Sequence, residues 1–377
     1  MRISPGLLLR RAMVGVFALA AIWTPGGTAT AEPPVGTESG KEKEPEAERL
    51  AFAQRYRVLQ HGGIVRAANA SISCRTTLGT CAGVRQGENL TAGTGAAKAA
   101  VNGDFDMFYV DVDSDPHTYN SSRAEVRVPQ GSQVSYARLY WGGNLMVGEQ
   151  KPPKDNGRVL IAEPGGQYKE LLADSVVGHR VAHGADAFQA SADVTKLVRE
   201  SGSGLYTVAQ INVAMGNSAA GAWGGWTLVV AYENAAEPLR HLAVWDGFDA
   251  LGEQTGDGPL VRLAELPFPA GANGRAGLVA YNGDRGSAGD SLTVSVAGRT
   301  TALGDAANPL DDVLNSTIGP AVPERVPAYA NTLGYDSDVF ELGTALRSGG
   351  DQLAFRLVSQ RDAAWSGALF VAVDARQ

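Results

Sequence analysis

Residues 136–144, YARLYWGGN, and residues 276–284, AGLVAYNGD, read as one pattern written twice, and that pattern decides the fold. Each is a short apolar-rich run that ends on a Gly-containing turn. Within Ser135–Trp141, Tyr136, Arg138 and Tyr140 project one way and Ala137, Leu139 and Trp141 the other. A repeat of two residues is the period of a β-strand. Two further matches follow in the same order: ADVTKLVRESGSGLYTVAQINV (192–213) with SDVFELGTALRSGGDQLAFRLV (337–358), and GGWTLVVAYE (224–233) with SGALFVAVDA (366–375). The three offsets are 140, 145 and 142 residues. Strand–turn–strand sequences resemble one another in general, so the near-constant offset carries the weight. Each unit reads as a strand ending in a Gly turn, an Asp-initiated helical turn and a final hydrophobic strand pair. Asp193 and Asp338 suit the N-cap role, because a carboxylate accepts from the first free N–H groups of a helix.

Between these anchors, short β-type runs are separated by Gly, Asn, Asp and Pro clusters, among them Ile64–Ala67, Phe105–Val112, Arg158–Ala162, Ser291–Val296 and Gln352–Val358. Helical text is sparse, and Ala192–Glu200 is its best example. Composition agrees. Gly is 47 of 377 residues, well above the usual ~7%, and only 19% are charged. The expected fold class is all-β, with two tandem jelly-roll or β-sandwich domains at 58–250 and 251–377.

The chain opens with what reads as an export signal over residues 1–31. Arg2, Arg10 and Arg11 precede the apolar run Ala12–Trp23, and Ala29-Thr30-Ala31 offers a small-residue cleavage site. The run falls short of the ~20 residues a membrane span needs. The Arg10-Arg11 pair leaves the twin-arginine route open beside general secretion. Cleavage removes three arginines and no acid, leaving 29 basic against 40 acidic residues, a net charge of −11. Such a surface gains nothing from nucleic acid or anionic lipid, so neither is an expected partner. Residues 32–57 read as a disordered charged leader, with a short helical turn at Leu50–Tyr56.

Cys74 and Cys81 are the only cysteines, and in an exported chain they are expected to form a disulfide that pins a hairpin tip. Asp111, Asp113 and Asp115 alternate in DVDSD; on a strand their carboxylates would converge, and calcium, with six to eight oxygen ligands, is the cation they suit. Pro116 stands where an EF-hand loop has Gly. Solvated strand ends and turn-capping aspartates account for the same text, here and at Asp284/Asp290, Asp311/Asp312 and Asp336/Asp338. His179 and His183 lack the glutamate of a zinc-protease helix, and no Gly-x-Ser-x-Gly elbow occurs. No catalytic residue is assigned, and an enzyme is the less favoured class. Trp226 and Trp245 read as core, whereas Trp223 and Trp365, beside Gly or Ser, read as exposed rings suited to stacking on a sugar.

Taken together, NGDFDMFYVDVDSDPHTYNSSRAEVRVPQGSQVSYARLYWGG (102–143), LAVWDGFDAL, GLVAYNGDRGSAGDSL, DAANPLDDVLNSTI and NTLGYDSDVF resemble the amino-terminal region of large exported, adhesin-like surface proteins of Gram-positive bacteria. Those proteins often continue into tandem repeat domains of unknown function. The resemblance spans about residues 60–377 and implies a β-sandwich build and a location outside the cell or at its wall, with cell-wall or extracellular polysaccharide or protein as partner. It implies no activity. The chain ends at Gln377 without a sorting motif, so release or non-covalent retention is expected. A non-catalytic binding or structural role leads, and a calcium-dependent carbohydrate-binding protein or glycan-active hydrolase is the alternative.

Overall fold

The computed structural model describes residues 50–376 apart from 78, 92–96, 253–258 and 320–323. The export signal and most of the charged leader lie outside the described residues. All that is described belongs to one compact unit, Pro45–Gln377, which is mostly β, with several antiparallel sheets and two short helices.

A first series of strands comprises β1 (Leu50–Ala70), β2 (Ser121–Val126), β3 (Gln133–Asn144), β4 (Arg158–Ala162), β5 (Lys169–Leu172), β6 (Ser175–Ala182) and β7 (Ala185–Asp193). Helix α1 (Thr195–Ser201) then leads to β8 (Gly204–Ala209) and β9 (Gly224–Glu233). The second series is β10 (Leu239–Ala250), β11 (Leu260–Leu263), β12 (Gly274–Tyr281), β13 (Ser291–Val296), β14 (Arg299–Leu303), β15 (Tyr335–Glu341), β16 (Leu353–Val358) and β17 (Trp365–Asp374).

The sheet orders match. Nine strands pair in the order β6-β7-β3-β9-β1-β10-β17-β12-β15. Read outward from β1, the run β9-β3-β7 has its counterpart in β17-β12-β15; β3 with β12 and β9 with β17 carry repeated sequences, and the remaining repeat runs from the end of β7 through α1 to β8 in one half and from β15 to β16 in the other. Outside them lie two further sheets. One runs β2-β8-β4-β5, with Arg325–Val326 pairing on β2; the other runs β11-β16-β13-β14. The doubling seen in sequence is therefore a doubling of strand order.

β1 joins the two halves. Its first part pairs with β10 as far as His61↔Leu239, and from Gly62↔Glu233 onward it pairs with β9. At this switch Gly62 has φ +140°, and a Cβ there would lie 2.0 Å from the Tyr232 carbonyl oxygen, so a side chain is excluded. The nine-stranded sheet folds back on itself, and its two halves face each other across an aromatic-rich core containing Tyr140, Val229, Val244, Phe248, Tyr281, Tyr335 and Phe370. Ala137, Leu139 and Trp141 lie in the core that the first half shares with its outer sheet, and Leu278, Val294, Phe340 and Phe355 in the equivalent core of the second. Four layers thus enclose three cores. Strand β3 is buried on both faces, and its alternation sorts side chains between two interiors rather than between interior and water.

Several expectations need correction. Leu50–Arg57 is neither leader nor helical turn but the start of β1, because Leu50, Phe52, Tyr56 and Val58 pack on the second-half and central cores. Helix α1 starts at Thr195, three residues later than expected, since Ala192 and Asp193 complete β7. Asp193 is not the N-cap, which is Val194; it stands one residue before it at the end of β7, and its Oδ1 accepts from the Thr195 N–H at 2.8 Å. Asp338 is no cap either: no helix follows it, and it is fully buried within β15. Cys74 and Cys81 form the disulfide, with Cα atoms 5.8 Å apart. It links a strand end to the start of a short helix, Cys81–Arg85, and both residues are buried in the first core, so it is no hairpin tip.

Candidate functional site

Three loops of the second half meet at one end of its sandwich: that after β12, the long segment between β14 and β15, and that between β16 and β17. Each brings an aspartate. The Asp284 N–H donates to the Asp362 carboxylate at 2.9 Å, and the Gly286 N–H donates to Asp312 Oδ2, also at 2.9 Å. Asp290 and Asp312 form a parallel bridge, reinforced by the N–H groups of Gly289 and Asp290, both of which donate to the Asp311 carbonyl. Asp290 is 0% exposed, and both of its carboxylate oxygens are buried without a hydrogen-bond partner. Oδ1 of Asp284 and Oδ1 of Asp312 are likewise buried without a partner.

A carboxylate removed from water must be hydrogen-bonded, paired with a cation or protonated. Burial, reinforced by Asp362, raises Asp290 to about 9 and Asp284 to about 7. Asp362 and Asp312 are raised as well, mainly by burial. Asp290 and Asp362 lie close enough to shift one another and so titrate as a pair.

A second acidic pair lies deeper on β15. Asp336 Oδ1 accepts from the Thr317 N–H at 3.1 Å, and Asp338 Oδ1 from the Gly319 N–H at 2.8 Å. Each retains one buried unpartnered oxygen. Burial raises both, Asp338 to about 7, with the Arg66 charge opposing the rise. Arg66 comes from β1, in the other half of the molecule, is 5% exposed, and donates to the Gly319 carbonyl at 2.6 Å. Its own value falls to about 10, chiefly through burial.

The expected calcium trio is arranged differently. Asp111, Asp113 and Asp115 lie in a loop after the short strand Met107–Tyr109, not on a strand, so the alternation that would have aligned them does not apply. Each carboxylate serves its own turn: Asp111 accepts from Ser121, Asp113 from Tyr168, Thr118 and the Asp115 N–H, and Asp115 from the His117 N–H. Among the described residues, no group of three or more His, Cys, Asp or Glu side chains is arranged to hold a metal ion. His179 lies on strand β6 and His183 in the turn after it, rather than on a helix.

Trp223 and Trp365 are not exposed. Both are 0% accessible, their ring centroids lie 6.3 Å apart, and Trp365 stacks on Phe248 at 5.1 Å. The small residues that follow them mark close packing inside the body: a Cβ on Gly224 would lie 2.5 Å from the Val213 side chain, and one on Gly367 would lie 2.9 Å from the Tyr281 ring. Trp226 and Trp245 are core residues, as expected.

Sequence reasoning singled out Asp284, Asp290, Asp312, Asp336 and Asp338 but missed Asp362 and Arg66. The signal for Arg66 was present as a lone charge in the apolar text GGIVRAANA. Asp362, in SQRDAAW, carried none.

The family described as "Protein of unknown function (DUF3344)" matches residues 93–276. That match runs from before β2 to within β12, so it takes in parts of both strand series. No curated protein matches the chain. Among solved structures, the chain is similar to PNGase F, a glycosylasparaginase from Flavobacterium meningosepticum, at 13% identity and a TM-score of 0.24, covering 74% of this chain and 94% of that one. PNGF-II is similar at 11% identity and 0.24, covering 74% and 64% respectively. The ANX2 ectodomain from Arabidopsis thaliana follows at 8% and 0.19, covering 74% and 95%. At such scores the likeness adds nothing to the sheet order described above. Among the described residues no helix is long and apolar enough to cross a membrane.

Proposed function

We propose that this is an exported protein, extracellular or cell-wall-associated, acting as a non-catalytic, adhesin-like binding or structural component on cell-wall or extracellular polysaccharide or protein. The observation that carries this reading is the doubled four-layer body: its aromatic residues fill continuous cores, and recognition is left to loops and strand edges. We read the halves as tandem jelly-roll sandwiches at 58–250 and 251–377; β10, which ends at Ala250, pairs with β1 on one side and with β17 of the second half on the other. The signal-like text of residues 1–31 supports export. The test is expression with the native amino terminus, sequencing of the secreted product and a pull-down on purified cell wall and its polysaccharides. Cleavage after Ala31 with retention on wall material is the expected result; no retention, together with turnover of a glycan, overturns it.

A second reading, a calcium-dependent carbohydrate-binding protein or glycan-active hydrolase, is favoured by the buried aspartates, whose charge requires a proton or a cation. Thermal melting with calcium and with EDTA separates the two. A ligand that binds only the folded state raises the midpoint, so no difference between the two conditions removes calcium from the reading.

A further inference from the structure

Where β1 leaves β10 for β9, the inner sheets part and leave an open cleft of about 510 Å³, within the range of ~300–1,000 Å³ typical of small-ligand sites. Tyr232, Glu237, Arg240, Asn273, Arg275 and Glu341 line it, with β1 at Gly63–Val65 as a wall on which Ile64 is the apolar side chain on the central-core face. Its charges are matched within the wall. Arg240 donates to Glu237 at 2.8 Å, to Asp374 at 2.9 Å and to the Gly62 carbonyl at 2.6 Å. Arg275 donates through Nε to Glu341 at 2.7 Å, and both of those side chains are about two-thirds exposed. Asn273 is fixed by Asp374, which accepts from its side-chain amide at 3.1 Å and its N–H at 3.2 Å.

This pattern selects a ligand class. A phosphate or sulfate entering the cleft meets Glu237 and Glu341; a cation meets Arg240 and Arg275. A neutral molecule dense in hydroxyls meets neither penalty. Each Arg–Glu pair sets N–H donors beside carboxylate acceptors, which suits a vicinal diol acting as donor and acceptor at once. The apolar wall matches the C–H face of a sugar ring. We propose that this cleft binds a neutral oligosaccharide, with Arg275, Glu341 and Asn273 as the hydroxyl-reading groups. The proposal rests on the carbohydrate-binding reading above and gives it a location.

The experiment is saturation-transfer NMR and calorimetry of the full chain with chitotriose, cellotriose, maltotriose and laminaritriose, and a sulfated heparin disaccharide as the charged probe. Dissociation constants of about 1 mM or tighter are the target. The variants are R275A, E341A and N273A; the Arg275–Glu341 pair is exposed, so its loss leaves the fold intact, verified by melting. The expected result is binding of at least one neutral trisaccharide, weakened tenfold or more in R275A and E341A. A neutral sugar bound equally by all variants overturns the cleft while leaving carbohydrate binding standing. Tighter binding of the sulfated probe overturns the neutral class. No binding of any probe overturns both the cleft and the carbohydrate reading.

Discussion

The backbone N–H of Asp284 donates to the carboxylate of Asp362 across 2.9 Å, tying the loop after β12 to the loop before β17. Asp362 also raises the neighbouring Asp290 above its ordinary range, beside the effect of burial. Three aspartates from two loops thus share a water-poor pocket, and their protonation is coupled to folding.

The first prediction follows from that coupling. Burial and the neighbouring Asp362 carboxyl push Asp290 up to about 9 in the folded chain, whereas an unfolded aspartate titrates near ~4. Between these values the folded state binds more protons, so stability falls as pH rises. Melting followed by circular dichroism should show a midpoint that declines from about pH 5 to about pH 9. The facing groups Asp284, Asp312 and Asp362 are also raised and add to the same slope, whereas Asp113 and Glu149 are lowered and weaken the fold only on the acidic side. Asp290→Asn should flatten the decline and raise the midpoint at pH 8. A midpoint that climbs from pH 5 to pH 9 contradicts this.

A second prediction concerns Asp246, which is 1% exposed in β10 and accepts from Arg55 at 2.5 Å and from the Tyr140 hydroxyl at 3.0 Å, with Arg138 at 3.5 Å. Truncation leaves buried Arg138 without one of its two carboxylate partners. Asp246→Ala should cost about 3–5 kcal/mol, the usual penalty for breaking a buried pair. Urea unfolding measures it, and a change below about 1 kcal/mol would mean that the central interface does not depend on this network.

Trp365 supplies a third. Its ring stacks on Phe248 inside the central core, so Trp365→Ala should lower stability by about 3–5 kcal/mol. An unchanged denaturation midpoint would return this ring to the surface role that its sequence context suggested.

The disulfide gives the fourth. Closing so short a loop restricts the unfolded chain by about 2.5 kcal/mol on the loop-entropy estimate. Replacing both Cys74 and Cys81 by Ala, which keeps the buried site apolar, should reduce unfolding free energy by that amount. A double variant as stable as the parent would exclude the constraint.

The doubling of the chain was legible because it is local. Alternation in Ser135–Trp141, its echo at 276–284 and the constant offset all lie in short windows, and the strands at Arg158–Ala162 and Ser291–Val296 appear with the boundaries read from sequence. The tryptophans were misread for a physical reason: Gly and Ser beside Trp223 and Trp365 serve close sheet packing, which in one dimension looks like a turn. The Asp111–Asp115 trio failed similarly, because its alternation means convergence only on a strand and the segment is a loop.

What the sequence determined by itself was the β character, the repeated order of strands and the pairing of its two cysteines, since each is encoded in periodicity, offset or count. Only the tertiary structure decided that the two inner sheets face each other through β1, that Arg66 reaches across to the Gly319 carbonyl, and that Asp284, Asp290, Asp312 and Asp362 meet. Those contacts join residues separated by 78 positions for Asp284–Asp362 and by 253 for Arg66–Gly319. No local pattern records such proximity, because it depends on how whole layers stack. Burial then turned ordinary loop aspartates into groups that must carry a proton or meet a cation.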